Sequence, residues 1–122
     1  MNSKKNLVFL GMMGSGKSSI GYLVSKELNI KFKDIDKLIE DETGKSISSI
    51  FKEKGEAYFR NLEEKITLKT LKTINSVVSL GGGGFINDKI RKEITDNHLS
   101  FWLKWDDSTL LKRIKDSKKR PL

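Results

Sequence analysis

One segment of the chain combines residue types and a spacing that suit the binding of phosphate groups. Residues 11–18 read GMMGSGKS and fit the pattern G-x-x-x-x-G-K-[ST]. Its glycines let the backbone curl until several N–H groups point inward, and no Cβ blocks the approach of a phosphate. A lysine at this place reaches the β- and γ-phosphates of a nucleotide, and the hydroxyl that follows can bind the accompanying Mg²⁺. We therefore predict a nucleotide site in which Lys17 and Ser18 fill these two roles.

The flanking sequence supplies the elements that this loop needs. An apolar run directly precedes it, so we predict a buried strand over residues 6–10. A helix is predicted over residues 17–28, because apolar residues recur there at helical spacing, at Ile20, Leu23, Val24 and Leu28. The positive end of that helix adds to the attraction for phosphate. A glycine-rich turn that binds nothing is the alternative, and the strand–turn–helix context argues against it.

Two more strands are predicted to deliver chemistry at their ends. The second, over residues 30–34, places Asp34 and Asp36 just past its end, and the third, over residues 76–80, runs into Gly81–Gly84. Ligands of open α/β sheets bind at the carboxyl ends of the strands. Four glycines there cost backbone entropy, so we expect something to approach this backbone closely. A floppy glycine loop is the alternative.

The remaining segments predict mostly helix. Three helices are predicted between the second and third strands, over residues 37–43, 46–55 and 56–73, with Gly44 ending the first and Ser46 capping the second. A polar surface helix over residues 87–97, a strand over 99–105 and a helix over 108–117 follow. The alternation predicts a parallel sheet with right-handed crossovers, covered on both faces. We assign the only histidine, His98, a turn or cap role. The third of the three helices is predicted to turn Phe59, Leu62, Ile66 and Leu71 inward.

Composition narrows the class of protein. The 122 residues allow one domain, and the absence of cysteine rules out disulfides and thiolate metal sites. We expect a cytoplasmic protein without a membrane partner, because no stretch is long and apolar enough to span a bilayer. The net charge is +8, but the lysines are interleaved with acids and no aromatic ladder accompanies them, which argues against a nucleic-acid surface. Arginine is scarce, and its rigid guanidinium group suits the binding of carboxylates and phosphates. The four arginines are therefore candidates for such contacts, namely Arg60, Arg91, Arg113 and Arg120.

Taken together, these segments resemble the shikimate kinases, small P-loop kinases that transfer the γ-phosphoryl group of ATP to the 3-hydroxyl of shikimate. Their order and spacing follow the family from the first strand to the last residue. The segments that carry the resemblance are residues 11–18, 34–36, 43–47, 55–56, 59–60, 63–64, 80–83 and 120–122.

The resemblance implies roles for the nucleotide side of the site. Ser18 and Asp34 match the residues that hold Mg²⁺, Asp34 through water. Arg113 matches an arginine that lies against adenine, and Arg120 one that starts a mobile lid and reaches the transferred phosphate. The residues that match the family's ATP-binding positions are Gly14, Ser15, Gly16, Lys17, Ser18, Ser19, Arg113 and Arg120.

It also implies roles for the acceptor side. Asp36 matches the carboxylate that binds the shikimate hydroxyls and helps to deprotonate the attacking oxygen. Arg60 matches the arginine that grips the substrate carboxylate, and the backbone of Gly81, Gly82 and Gly83 matches the turn that closes around the ring. Lys17, Asp36 and Arg120 are thus the implied catalytic residues.

The fold implied by the resemblance is a three-layer α/β/α P-loop sandwich with strand order 2-3-1-4 and a fifth strand missing from the chain. We expect one kinase domain over residues 1–122, incomplete at its C-terminus. A helical substrate-binding insertion is expected at about residues 37–73 and a lid from about residue 117. The 122-residue chain by itself is expected to be an inactive fragment.

Several functional alternatives stay open at this point. The main expectation is an ATP- and Mg²⁺-dependent kinase of shikimate that acts as a monomer. A P-loop kinase for another small hydroxy acid such as gluconate shares the loop and the size. A non-catalytic domain of the same fold could also keep the site residues. Gly84 and Phe85 stand where the family has smaller residues more often, which could alter the wall of the acceptor pocket.

Overall fold

Strands and helices alternate along the chain, as the apolar pattern predicts. The computed structural model describes residues 5–11, 17–81 and 84–103. The strands are β1 (Leu7–Gly11), β2 (Lys31–Asp34), β3 (Ser76–Ser79) and β4 (Leu99–Leu103). The helices are α1 (Lys17–Leu28), α2 (Ile35–Thr43), α3 (Ile47–Lys54), α4 (Glu56–Leu71) and α5 (Asp88–Asn97), with a short 3₁₀ turn at Gly84–Ile86.

The four strands form one parallel sheet in the order β2-β3-β1-β4. This order confirms the prediction. In the register of the sheet, Val78 lies beside both Val8 and Lys33. Because all strands run the same way, β1, β2 and β3 end at one edge, which we call the carboxyl edge.

Side-chain alternation along the strands divides the core into two layers. Leu7 and Phe9 point to the face that α1 covers, where they pack with Val24 and Val77. Val8 and the residues that alternate with it point to the other face and pack against α2, α3, α4 and α5. The sheet is therefore covered on both faces, as predicted for a three-layer sandwich.

The opposite, amino edge of the sheet is fastened by Asn6, which is fully buried. Its Nδ2 donates to the carbonyls of Leu71 (3.4 Å) and Thr73 (2.7 Å), and its Oδ1 accepts from the amide of Ser76 (3.0 Å). Its amide donates to Nδ1 of His98 at 3.1 Å. His98 follows the last residue of α5 and is its C-cap, so its predicted cap role is confirmed.

Some predicted boundaries and faces are wrong. The helix α2 begins at Ile35 and not at Lys37, because Asp34 caps it directly after the strand. The side chain of Leu23 is 46% exposed although it shares the helical spacing of Val24. The helix α5 is not a purely polar surface helix, since Ile90 and Ile94 are completely buried.

Other boundaries shift by one or two residues. The helix α4 ends at Leu71, and β4 is described only to Leu103. The helix predicted at residues 108–117 lies outside the described residues. Within the described ranges, no helix is both long and apolar enough to cross a membrane.

Candidate functional site

Two carboxylates lie where β2 turns into α2 at the carboxyl edge. Asp34 is the last residue of β2, and its Oδ1 accepts hydrogen bonds from the amides of Asp36 (3.0 Å) and Lys37 (3.4 Å). This cap satisfies amides that the first turn of a helix leaves without intrahelical partners. It also fixes Asp36 in that first turn, where the positive end of the helix favours a negative charge.

The backbone of Gly81 approaches the carboxylate of Asp36 closely. A Cβ placed on Gly81 would lie 2.6 Å from Oδ1 of Asp36 and 3.3 Å from Oε2 of Glu63. A side chain at this position would therefore displace the carboxylate of Asp36. The close approach expected at the glycine turn is present at Gly81, and it brings α2, α4 and the end of β3 together.

Arg60 is held on α4 by two acids and two aromatic rings. Its Nη1 donates to Oε1 of Glu63 at 3.0 Å, and its Nε lies 3.8 Å from Oε1 of Glu56. The centre of its guanidinium group lies 5.8 Å from the ring of Phe51 and 5.3 Å from that of Phe59. The side chain remains 40% exposed. Its planar group is thus oriented, and part of it is left for an anionic ligand.

Glu63 is a buried carboxylate, with a side chain only 2% exposed. Burial raises the pKa of Glu63, and the negative charge of Asp36 raises it further. The hydrogen bond and the positive charge of Arg60 act in the opposite direction but do not outweigh the burial. The cluster of Asp36, Arg60 and Glu63 therefore contains one oriented cation, Arg60, and two acids. Glu63 is buried, whereas Asp36 is half-buried.

Glu63 has no predicted role, although residues 63–64 belong to the segments that carry the resemblance. A signal for it exists, because position 63 falls on the inward stripe of α4 that contains Phe59, Ile66 and Thr70. A charged residue on the buried face of an amphipathic helix needs a partner. Arg60, one turn earlier, is that partner.

The structure brings four of the predicted site residues to the carboxyl edge. They are Asp34, Asp36, Arg60 and Gly81. Lys17, Ser18 and Ser19 form the first turn of α1, and their side chains lie outside the description. The other predicted site residues also lie outside the described residues, namely Gly14, Ser15, Gly16, Gly82, Gly83, Arg113 and Arg120.

The phosphate-loop segment leaves from the same edge. β1 ends at Gly11 and α1 begins at Lys17, so the segment between them starts at the carboxyl edge, next to β3. Among the described side chains, no group of three or more histidines or acids could form a metal site. Mg²⁺ needs no such cage, because it keeps several waters and binds through one or two carboxylates plus phosphates.

The sequence of this chain matches proteins of the shikimate kinase family. The family model described as "Shikimate kinase" matches residues 13–122. A curated shikimate kinase of Persephonella marina is 42% identical over 118 residues, which are 97% of this chain and 72% of the relative.

Solved structures agree with the sequence match. A shikimate kinase from Aquifex aeolicus has a TM-score of 0.78 at 38% identity and covers 96% of this chain and 70% of its own. A shikimate kinase from Acinetobacter baumannii, solved in complex with shikimate, has a TM-score of 0.80 at 30% identity. That match covers 97% of this chain and 66% of the Acinetobacter chain.

Proposed function

The chain belongs to the shikimate kinase family, and we propose that it transfers the γ-phosphoryl group of ATP to the 3-hydroxyl of shikimate, giving shikimate 3-phosphate. This reaction belongs to the biosynthesis of aromatic amino acids. The observation that carries the proposal is the meeting of Asp36, Arg60 and Gly81 at the edge of the sheet from which the phosphate-loop segment leaves.

On the acceptor side, the chemistry of this cluster suits a hydroxylated carboxylic acid. The oriented guanidinium of Arg60 can bind a carboxylate through two parallel hydrogen bonds. The carboxylate of Asp36 can accept a hydrogen bond from a hydroxyl and orient it for attack. The missing side chain of Gly81 leaves room for the carboxylate of Asp36 beside the backbone. The backbone of Gly81, Gly82 and Gly83 would close around the ring of the acceptor.

On the nucleotide side, we propose that Gly14, Ser15, Gly16, Lys17, Ser18 and Ser19 bind the phosphates of ATP. Lys17 would place its charge on the β- and γ-phosphates. Arg113 would lie against adenine, and Arg120 would reach the transferred phosphate from a lid that begins at about residue 117. Closure of such a lid excludes water, so that ATP is not lost to hydrolysis.

The oxygen donors at the carboxyl edge fit a magnesium ion. Asp34 offers a carboxylate at the end of β2, and Ser79, beside it at the end of β3, has a buried hydroxyl without a partner in the described part of the chain. Hard cations such as Mg²⁺ prefer these oxygens. We propose that Asp34, through water, and Ser18 hold the Mg²⁺ that accompanies ATP. When bound, the ion neutralises the charge of the phosphates.

We further propose that residues 1–122 belong to one kinase domain, with a substrate-binding insertion at about residues 37–73. The protein would be a cytoplasmic monomer. The single sheet supports one domain, and the three helices between β2 and β3 support the insertion.

A coupled assay of ADP release tests the activity. The full-length protein would be given ATP and Mg²⁺ with shikimate, with gluconate or with no acceptor. We expect release that depends on shikimate and is lost in Lys17→Ala, because the lysine's charge on the β/γ oxygens has no replacement. Equal release with gluconate would favour another hydroxy-acid kinase. Nucleotide binding without turnover would favour a non-catalytic domain and contradict the proposal.

A further inference from the structure

Two buried hydroxyls have no hydrogen-bond partner in the part of the chain that the structure describes. They are Oγ of Ser79 and Oγ1 of Thr67. Ser79 is 1% exposed and Thr67 is completely buried. Folded proteins pair nearly all such groups, and an orphaned buried hydroxyl costs about 1–3 kcal/mol.

Ser79 lies where a ligand is expected. It is the last residue of β3, and in the register of the sheet it stands beside Phe9 of β1 and Asp34 of β2. Side chains paired across neighbouring strands point to the same face, and the strands lie about 4.8 Å apart. Ser79 thus shares with Asp34 the face of the sheet that α1 covers. Its hydroxyl sits between the carboxylate strand and the strand that leads into the phosphate-loop segment.

Thr67 differs from Ser79 in position but not in chemistry. It lies in α4, one turn beyond Glu63 and away from the carboxyl edge, on the opposite side of the sheet from α1. No residue that we assign to the nucleotide lies in α4. Thr67 is therefore a matched control, because it is a second orphaned hydroxyl without a ligand near it.

We propose that Ser79 is a positioning residue of the metal–nucleotide site, where its Oγ accepts a hydrogen bond from a water bound to the Mg²⁺ of the nucleotide. The inference rests on the proposed function. Magnesium gives up its waters reluctantly, and each retained water donates hydrogen bonds to oxygens around it. Asp34 supplies one such oxygen, and Ser79, beside it in the sheet, supplies the other. Binding would satisfy the hydroxyl that is orphaned in the free protein.

The magnesium dependence of ADP binding tests this inference. Calorimetry would give the Kd of ADP in excess Mg²⁺ and in EDTA, and the ratio of the two measures the benefit of the metal. We expect Ser79→Ala to reduce this benefit roughly three- to tenfold, the usual worth of one hydrogen bond, and to leave the Kd in EDTA unchanged. Ser79→Thr keeps the hydroxyl and should keep the benefit. Thr67→Val, which removes the control hydroxyl at constant shape, should change neither value.

Thermal unfolding gives a second readout that does not depend on activity. Removing an unpaired buried hydroxyl relieves its desolvation penalty, so the free Ser79→Ala protein should unfold at the same temperature as the unaltered protein or higher. The rise in Tm caused by Mg²⁺ and ADP should be smaller in Ser79→Ala, since this rise follows the affinity. A purely structural serine would give the reverse pattern, a lower Tm of the free protein and an unchanged rise.

The outcomes separate this inference from the function on which it rests. An unchanged metal benefit in Ser79→Ala would overturn the role of Ser79 and leave the kinase proposal standing. Equal weakening in Mg²⁺ and in EDTA would also overturn it, because Ser79 would then support the loop and not the metal. If the unaltered protein bound no ADP, both proposals would fail.

Discussion

The carboxylates of Asp36 and Glu63 both lie beside Gly81 but in different environments, so we expect them to have different roles. Asp36 is half-buried at the start of α2 and faces the glycine turn. Glu63 is buried and already bonded to Arg60. We infer that Glu63 orients the arginine, whereas Asp36 is the acid that can receive a substrate hydroxyl.

A pair of substitutions tests this division of labour. Asp36→Asn should lower kcat by roughly 100-fold or more with little effect on ATP binding, because it removes the base from the reacting hydroxyl. Arg60→Lys should mainly raise the KM for shikimate, since an ammonium group cannot reproduce a bidentate grip. Steady-state kinetics with each substrate varied in turn would measure both. A loss of ATP affinity in either variant would contradict the assignment.

The burial of Glu63 predicts a dependence of stability on pH. Its pKa is raised above 4.5 in the folded protein, so the folded state keeps a proton that the unfolded state releases. The free energy of unfolding should therefore fall as the pH rises from about 4.5 through the raised pKa, and then level off. Glu63→Gln carries no titrating proton and should lack this decline.

Urea unfolding of both proteins between about pH 4 and pH 7 measures this effect. The stability of Glu63→Gln relative to the unaltered protein should increase with pH across that window. The opposite trend would mean that Arg60 outweighs burial and keeps Glu63 ionised.

At the scale of elements, the site depends on how closely β3, α2 and α4 approach one another. Only a glycine at position 81 leaves room for the carboxylate of Asp36. Asp34 starts α2 directly at the end of β2, so the two carboxylates are placed by a helix cap and not by a flexible loop.

Gly81→Ala should therefore disturb catalysis more than folding. The new Cβ would meet the end of a movable side chain, so the fold can accommodate it while the carboxylate of Asp36 shifts. A displacement of about 1 Å in a reacting group can cost on the order of 100-fold in rate. We expect a loss of that order in kcat/KM for shikimate and a nearly unchanged Tm.

Gly21→Ala is the matched control for this prediction. The Cβ of the new alanine would lie 2.8 Å from Cε1 of Phe32, between α1 and the sheet. This place is away from the cluster of Asp36, Arg60 and Glu63. Gly21→Ala should lower the Tm but leave the turnover of the folded protein unchanged. Equal losses of activity in the two variants would contradict the special role of Gly81.

The sequence predicts the order of the elements well because their signals are local. Apolar runs, caps and glycines gave the four strands and five described helices within a few residues. Contacts between elements were harder to foresee. The start of α2 depends on which of two nearby aspartates caps it, and the burial of Ile90 depends on the neighbours of α5. The orphaned hydroxyl of Ser79 follows from strand register, which periodicity alone does not fix.

In the molecule as a whole, the carboxyl edge of the sheet carries the candidate site and the amino edge carries contacts that stabilise the fold. The carboxyl edge gathers the charged side chains of the candidate site. The amino edge holds Asn6, which connects β1 to the end of α4, to β3 and, through His98, to the end of α5. The net charge of +8 also favours the approach of anionic substrates to the molecule as a whole.

Asn6→Ala should destabilise the fold without affecting the chemistry. It leaves several buried backbone groups without partners, at a cost of roughly 3 kcal/mol in the free energy of unfolding. Urea unfolding would measure this loss, and kcat per folded molecule should stay the same. Asn97→Ala removes an exposed hydrogen bond to Glu93 and should cost less than about 0.5 kcal/mol. Similar losses in the two variants would mean that the amino edge is not fastened by Asn6.

The identity of the reaction product shows whether the protein phosphorylates shikimate and at which oxygen. The full-length protein would be incubated with ATP, Mg²⁺ and shikimate, and the products followed by phosphorus and proton NMR. We predict one new phosphate ester, attached to the 3-oxygen of shikimate and formed in equal amount to ADP. Release of inorganic phosphate without an ester, or a phosphate on another hydroxyl, would contradict it.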